Sequence, residues 1–303
     1  MPENPFADGC AYIEGEYYPI AKARIPILDT GFTRSDVTYD VVAVWNGKFF
    51  RLEDHLKRFE KSCQRLHMNP DLSLQQMREI LFECVRRSEL REAYVDMILS
   101  RGMDEDGSRD PRRFCNRFYA YAIPYVWIVK PKMQETGIHL VVAEKTIRIP
   151  SNAVDPRSKN FHWGDLMRGL YEAFDRGAYT VVLPDAQGNI TEGPGFNVFA
   201  CHEGTLHTPA AGVLEGITRQ TVIDLAEEQG IPVELDSFGT GLLESAEEVF
   251  LSSTAGGIMP VTTVNNKPVG DGKPGDITTL IRKRYWEAHD EERWTTPIDY
   301  HNH

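Results

Sequence analysis

No stretch of the chain approaches the ~20 consecutive apolar residues that a membrane span requires. The opening Met-Pro-Glu-Asn-Pro-Phe has neither the basic nor the apolar segment of a secretion signal. A membrane partner is therefore not expected, and a soluble cytoplasmic protein is. Positive charge is also short: the net charge is −12 over 303 residues, with no Lys/Arg block or basic-aromatic strip to offset it. Such a chain repels a phosphate backbone, which argues against nucleic acid and toward a small-molecule ligand. Cysteine is scarce. Cys10, Cys63, Cys84, Cys115 and Cys201 are odd in number, widely spaced and without a CxxC pair, so neither a disulfide framework nor a zinc site is expected and a reducing compartment fits. No Walker A or GxGxxG sequence occurs. His301 and His303, on the terminal tail, read as loose ends rather than metal ligands.

What is present is an ordinary globular composition, 41% hydrophobic and 26% charged, in a chain long enough for two lobes. Short β-type runs at 11–13, 17–19, 41–45 and 48–50 make a meander, with Asn46-Gly47 as the hairpin turn between the last two. Leu52, Leu56, Phe59, Cys63 and Leu66 then step by four and three, one face of an amphipathic helix. In a second helix Ser73 and Gln76 form a capping box ahead of the stripe Leu74, Met77, Leu81, Cys84 and Val85. Strands return at 93–99 and 118–123, and the Gly-, Asp- and Arg-rich 100–117 between them reads as an exposed loop. The proline-bracketed 124–131 reads as an interdomain linker between a small domain, 1–123, and a larger one, 132–303. In the larger part, a helix over 160–176 is expected to bury Met167, Leu170 and Phe174. Strands at 179–183, 196–201 and 249–251 and a helix over 218–229 complete it. Strands and helices mix without regular βαβ repetition, so the fold class is α+β.

Three features carry chemistry. Lys159, in Asp155-Pro-Arg-Ser-Lys-Asn-Phe-His-Trp-Gly-Asp165, has Phe161 and Trp163 beside it. An apolar wall there lowers an amine's pKa toward imine formation. Glu192 follows a polar turn and precedes Gly193-Pro194-Gly195, where glycines let another molecule approach the backbone. Gly216-Ile217-Thr218 opens a helix whose free N–H groups make an anion site, and Ser253-Thr254-Ala-Gly-Gly257 offers a second set of phosphate donors. Each has a plainer reading alone: a surface lysine, a loop glutamate, an N-cap threonine. Together, a lysine, a carboxylate and a helix start are the parts that hold pyridoxal phosphate, binding its aldehyde, its pyridine nitrogen and its phosphate.

From Leu28-Asp-Thr-Gly-Phe32 to Ile298-Asp-Tyr300 the chain resembles the fold-type IV pyridoxal-phosphate aminotransferases, which include branched-chain and D-amino-acid aminotransferases. It is most similar to the (R)-selective amine transaminases. The resemblance rests on Val154-Asp-Pro, Lys159-Asn, Trp163-Gly-Asp-Leu166, Leu214-Glu-Gly-Ile-Thr-Arg219, Thr254-Ala-Gly-Gly-Ile-Met-Pro260 and Tyr285-Trp286. It implies a two-lobed fold with a small N-terminal lobe and a larger β-rich C-terminal lobe. It implies that Lys159 is the Schiff-base lysine and proton shuttle, and that Glu192 partners the pyridine nitrogen. By the same resemblance Arg58, Ile217, Thr218 and Thr254 hold the phosphate, Leu214 packs on the ring face, and Tyr39 lines the substrate pocket. A homodimer is implied, with 101–117 or 34–39 near its seam.

Two departures bear on the substrate. Where a branched-chain enzyme has an arginine on the first-domain strand, this chain reads Ala93-Tyr-Val-Asp-Met97, which favours an amine donor without a carboxylate. Arg34 stands where the amine transaminases usually carry histidine, and its fork can bind a carboxylate; Arg109, Arg112 and Arg113 are other candidates for the keto-acid acceptor, or are solvated or bind the partner subunit. The expected activity is ping-pong transfer from an (R)-configured primary amine to a 2-keto acid such as pyruvate. Alternatives are a D-amino-acid or branched-chain aminotransferase, an aminodeoxychorismate-lyase-type enzyme, and a cofactor-free binding protein on the same scaffold.

Overall fold

The computed structural model describes residues 8–104 and 107–301, so His303 and the first seven residues lie outside the described part. The chain divides into two units. The first comprises Met1–Val126, Ser158–Phe161 and His289–His303, the second Trp127–Arg157 and His162–Ala288.

The first unit is built on strands β1 (Cys10–Ile13), β2 (Glu16–Pro19), β3 (Val37–Trp45), β4 (Lys48–Phe50), β5 (Ala93–Asp104) and β6 (Phe114–Pro124), with one C-terminal strand, Thr295–Pro297, against β4. Every pairing is antiparallel. Asn46 and Gly47 both have positive φ, as the two-residue turn of the β3–β4 hairpin requires. After α1 (Thr30–Arg34), helices α2 (Leu52–Arg65) and α3 (Leu74–Ser88) carry the expected stripes: Leu52, Leu56, Phe59, Cys63, Met77, Leu81, Cys84 and Val85 are buried against Val42, Val44, Val95, Met97 and Leu99 of the sheet. The capping box of α3 is formed, with Gln76 N–H donating to Ser73 Oγ at 3.2 Å and Ser73 N–H to Gln76 Oε1 at 2.9 Å. Strand alternation puts Tyr39, Asp96 and Tyr121 on the face away from these helices. The expected loop is shorter than its polar composition suggests. β5 and β6 stay paired out to Asp104 and Phe114, past a register shift between Ser100 and Met103.

The second unit contains β7 (Ile138–Val142), β8 (Thr180–Val182), β9 (Asn197–His202), β10 (Thr205–Pro209), β11 (Val233–Asp236), β12 (Glu248–Ser253), β13 (Gly257–Val264) and β14 (Lys267–Pro268), and the C-terminal strand of the first unit is then β15. The order is β11-β10-β9-β12-β13-β7-β8, with β14 on β13. Helices are α4 (Pro131–Gln134), α5 (Gly164–Asp175), α6 (Ile217–Glu228), α7 (Thr240–Ser245) and α8 (Asp276–Ala288). Two parallel crossovers, β7-α5-β8 and β10-α6-β11, are set into an otherwise mostly antiparallel sheet, in keeping with α+β. α5 begins at Gly164, later than expected, because Lys159 and Asn160 are engaged by β3 instead. Its apolar pattern also needs correction. Leu170 packs on the core, but Met167 and Phe174 are exposed, as is Tyr171.

Leu81 is fully buried at the centre of the first unit's core. Leu81→Ala is expected to lower the unfolding free energy by about 2–5 kcal/mol in urea titration, and a change below about 1 kcal/mol would contradict this packing.

Candidate functional site

Lys159 is fixed through its backbone. Its carbonyl accepts from Tyr39 N–H at 3.1 Å and from Thr38 Oγ1 at 2.7 Å, and Asn160 bridges Thr38. Ser158–Phe161 is thus a short extra partner along β3, held by β-ladder bonds. The half-buried side chain lays Nζ 4.5 Å from the centre of the Tyr39 ring, within cation–π range. Phe161 stands on the same tyrosine, ring centres 4.5 Å apart. Of the two aromatics expected around Lys159, Phe161 meets Tyr39; Trp163 belongs to the second unit.

On the other side of β3, buried Asp40 faces α2. Arg58 donates to both its oxygens, Nε to Oδ2 and an η nitrogen to Oδ1, each at 2.7 Å, and His55 Nδ1 lies 2.8 Å from Oδ1. Burial alone would raise the Asp40 carboxyl, but the Arg58 charge and the His55 contacts overcome it and hold it well below the usual carboxylate range. His55 is held below its ordinary value, chiefly by burial, with Asp40 opposing and Arg58 adding to the fall. Arg58 is therefore clamped by a forked carboxylate contact, which fixes its direction.

In the second unit Glu192 is buried, and three groups serve its two oxygens. Arg148 Nε and an η nitrogen reach Oε1 at 3.2 and 2.9 Å, and Leu214 N–H donates to Oε2 at 2.8 Å. Arg148 also donates to Asp165 Oδ2 at 2.6 Å. Burial works against the guanidinium, yet the flanking Glu192 and Asp165 raise it above its ordinary value. A carboxylate so held keeps its orientation and, since each oxygen accepts more than one bond, retains capacity for a further donor.

Ile217 and Thr218 form the first turn of twelve-residue α6, whose N-cap is Gly216 with no side chain capping it. The start of the helix thus presents N–H groups to an anion. A Cβ at residue 216 would collide with Asn197 Oδ1, and Asn197 in turn donates to the Leu214 carbonyl at 3.0 Å, so glycine there lets the loop close down. Ser253 Oγ accepts from Ala255 N–H at 3.1 Å and donates to the Gly195 carbonyl at 2.7 Å, which shapes the turn that carries Thr254. At Gly195, φ is +84°, a conformation that disfavours side chains.

Lys159, Tyr39, Arg58 and Arg34 belong to the first unit and Glu192, Leu214, Ile217, Thr218 and Thr254 to the second. Arg34 is exposed at the end of α1, its guanidinium 6.0 Å from the centre of the Phe114 ring. Arg112 is paired with Asp110. Sequence reasoning did not single out Arg148, Asp165 or Asp40. An isolated charged residue within an apolar strand, as in Thr38-Tyr-Asp40-Val-Val, was the available signal for Asp40; Arg148 and Asp165 lie seventeen positions apart with no pattern linking them.

The family model for class IV aminotransferases matches residues 38–264. A putative branched-chain-amino-acid aminotransferase of Methanocaldococcus jannaschii is 28% identical over 90% of this chain and 94% of its own. A D-alanine aminotransferase of Staphylococcus aureus is 26% identical over 92% of this chain and 98% of its own. Among solved structures, the branched-chain amino acid aminotransferase of Thermobaculum terrenum in its PLP form superposes with a TM-score of 0.87, at 25% identity, covering 98% of this chain and 100% of that one. The chain belongs to the class IV aminotransferases, has their fold-type IV architecture, and is a pyridoxal-phosphate-dependent aminotransferase.

The Asp40 cluster makes stability depend on pH. Unfolding frees His55 to its value of 6.5 and Asp40 to 3.8, both above their folded values, so the unfolded chain binds more protons and acid favours it. Stability is expected to fall as pH drops below 6.5 and again below 3.8. Asp40→Ala, which leaves Arg58 without its buried counter-charge, should cost about 3–5 kcal/mol near neutral pH by urea unfolding. An unchanged midpoint would show that the cluster does not contribute.

Proposed function

We propose that the enzyme moves an amino group from an (R)-configured primary amine to a 2-keto acid such as pyruvate in two half-reactions. The carrying observation is Asp96: buried on the sheet face that bears Tyr39, it presents a carboxyl where a reader of amino-acid carboxylates would need a cation. A donor without a carboxylate suits that wall.

The residues fit pyridoxal phosphate. The uncapped first turn of α6 at Ile217 and Thr218, with Thr254, suits its phosphate, as does the clamped Arg58 of the first unit, and Glu192, oriented by Arg148 and the Leu214 N–H, suits a protonated pyridine nitrogen. Leu214, whose N–H anchors Glu192, would flank the ring. Bound there, the cofactor supplies an electron-withdrawing ring that stabilises negative charge at the donor's Cα. Lys159 Nζ takes the Cα proton and later returns it; the Tyr39 ring and the pinned backbone of Lys159 hold that nitrogen in position. Arg34 and Arg109 are candidates to bind the keto-acid carboxylate. The exposed Met167, Tyr171 and Phe174 of α5 support a homodimer, since an apolar helix face of this kind is stabilised by a partner. No described helix is long and apolar enough to cross a membrane.

A second reading, transfer from a D-amino acid or a branched-chain amino acid, is favoured by the names of the relatives at 26% and 28% identity. Donor comparison separates the two. With a keto acid present, (R)-1-phenylethylamine should turn over faster than D-alanine or L-leucine, and reaction of L-leucine alone would overturn the amine reading. Protein loaded with pyridoxal phosphate should show a visible or near-ultraviolet absorption band that shifts or vanishes in Lys159→Ala together with at least about a thousandfold loss of rate. A band and activity unaffected by that substitution would remove Lys159 from its role.

A further inference from the structure

The crossover β10-α6-β11 ends on a strand at the edge of the second unit's sheet. β11 pairs in parallel with β10, Glu234 opposite His207 and Asp236 opposite Pro209. Strand alternation therefore puts His207, Glu234 and Asp236 on one face. There His207 Nδ1 lies 3.3 Å from Asp236 Oδ2 and 3.7 Å from Glu234 Oε2. One nitrogen and two carboxylate oxygens thus converge, all within 4.8 Å of one another.

These spacings suit a shared ion better than a hydrogen bond. An imidazole N–H serves one acceptor well, at about 2.7–3.2 Å, and both oxygens stand farther off than that. Two ligand atoms at the tetrahedral angle around an ion, with bonds of about 2.0–2.2 Å, are about 3.3–3.6 Å apart. The carboxylates are also uncommitted. Asp236 Oδ1 is buried with no hydrogen-bond partner, which is unfavourable unless something else satisfies it. Among the described residues the Glu234 carboxylate has no partner but His207. The His207 side chain is 13% exposed and that of Glu234 63%, so a nitrogen fixed by its surroundings faces a carboxylate free to close on an ion arriving from solvent. An ion pair between a protonated imidazole and these acids is the plainer arrangement, but it would draw one oxygen into a short bond, and neither distance is short.

We propose that His207, Glu234 and Asp236 form a binding site for a divalent transition metal of the zinc type, which fastens the edge strand β11 to β10. One imidazole and two carboxylates suit such an ion, with water completing its coordination. Magnesium and calcium, which prefer oxygen ligands throughout, fit less well. The net charge of −12 favours capture of a cation. The ion would also bear on the loop that leads to α6, because Ala210 N–H, just past the end of β10, donates to the Asp236 carbonyl at 3.0 Å. The site is independent of which amine the enzyme uses.

Zinc titration tests this on the cofactor-loaded enzyme after treatment with a chelator. Cys115 is an exposed thiol, and it and the tail histidines His301 and His303 compete for zinc, so the parent and all variants carry Cys115→Ser, His301→Ala and His303→Ala. Titrated with Zn2+ against a chromophoric chelator, the parent should bind a single equivalent. His207→Ala and Glu234→Gln should each weaken that binding at least about tenfold. Unfolding gives a second readout: Zn2+ at about ten times its dissociation constant should shift the urea unfolding equilibrium of the parent about tenfold toward the folded state. Glu234→Gln should show little of that shift, and Mg2+ at the same concentration should not produce it in the parent. Should His207→Ala fail to fold, Glu234→Gln, at an exposed position, carries the test. Zinc affinity of Glu234→Gln within about twofold of the parent's, no measurable zinc binding by the parent, or an equal shift with Mg2+ overturns the proposal, and none of these outcomes bears on the choice of donor.

Discussion

The hydrogen bonds from Thr38 and Tyr39 to the Lys159 carbonyl are the constraint on which the geometry around Lys159 depends. Residues on both sides of Ser158–Phe161 belong to the second unit, yet these four follow the edge of β3. A lysine on a free loop would sample many positions; one tied through its own carbonyl to a central strand inherits the rigidity of the sheet. The same strand then determines what the lysine meets. Tyr39 is one residue from Asp40, so successive side chains of β3 supply the Tyr39 ring for Nζ on one face and the Asp40 clamp for Arg58 on the other. Strand alternation alone divides these two tasks.

Each unit holds one cluster of buried charge in which three groups meet rather than two. Asp40 takes Arg58 and His55, and Arg148 takes Glu192 and Asp165. A buried pair is at best roughly neutral for stability once desolvation is counted. What such clusters supply is direction: a forked guanidinium has few orientations that satisfy a carboxylate. Arg58 and Glu192 are therefore preset before any ligand arrives, and the cost of ordering them is met in folding rather than in binding. Asp96 differs from both clusters, a buried acid with one oxygen unpaired.

Local pattern was sufficient for two helices and one hairpin of the antiparallel unit, while the polar composition of 100–117 hid the extension of β5 and β6. α2 and α3 were readable because their stripes are regular and their caps are side-chain chemistry, and the β3–β4 hairpin because Asn-Gly is the residue pair that its turn demands. The second unit was less readable where tertiary structure overrides pattern. Asn160 could extend a helix by composition, but β3 recruits its backbone; Met167 and Phe174 have helical spacing on α5, but spacing cannot say whether the matching face is a core or remains exposed. The strands from β10 onward include short, half-buried segments such as Val233–Asp236 that carry little alternation. Lys159, Glu192 and the start of α6 were identifiable as residue types at strand and helix junctions. Arg148 and Asp165 were not, because an ion pair across separate segments leaves no periodic trace.

The two parallel crossovers explain where the uncapped helix start of the second unit lies. In β10-α6-β11 the chain leaves β10 at Pro209 and enters α6 at Ile217, so the N-terminus of the helix, with its positive end, falls beyond the C-terminal end of a strand. Antiparallel hairpins cannot provide this, since they return the chain through a tight turn with no helix start. Glu192 lies beyond β8 and is joined to the same loop by the Leu214 N–H, which couples an acidic group to the helix entrance through one backbone bond. The Glu192 carboxyl and an anion-attracting helix start can coexist because Arg148 holds the first and the dipole of α6 favours an anion at the second. Removing either compensation would leave the remaining charge in a buried setting that the sheet alone cannot stabilise.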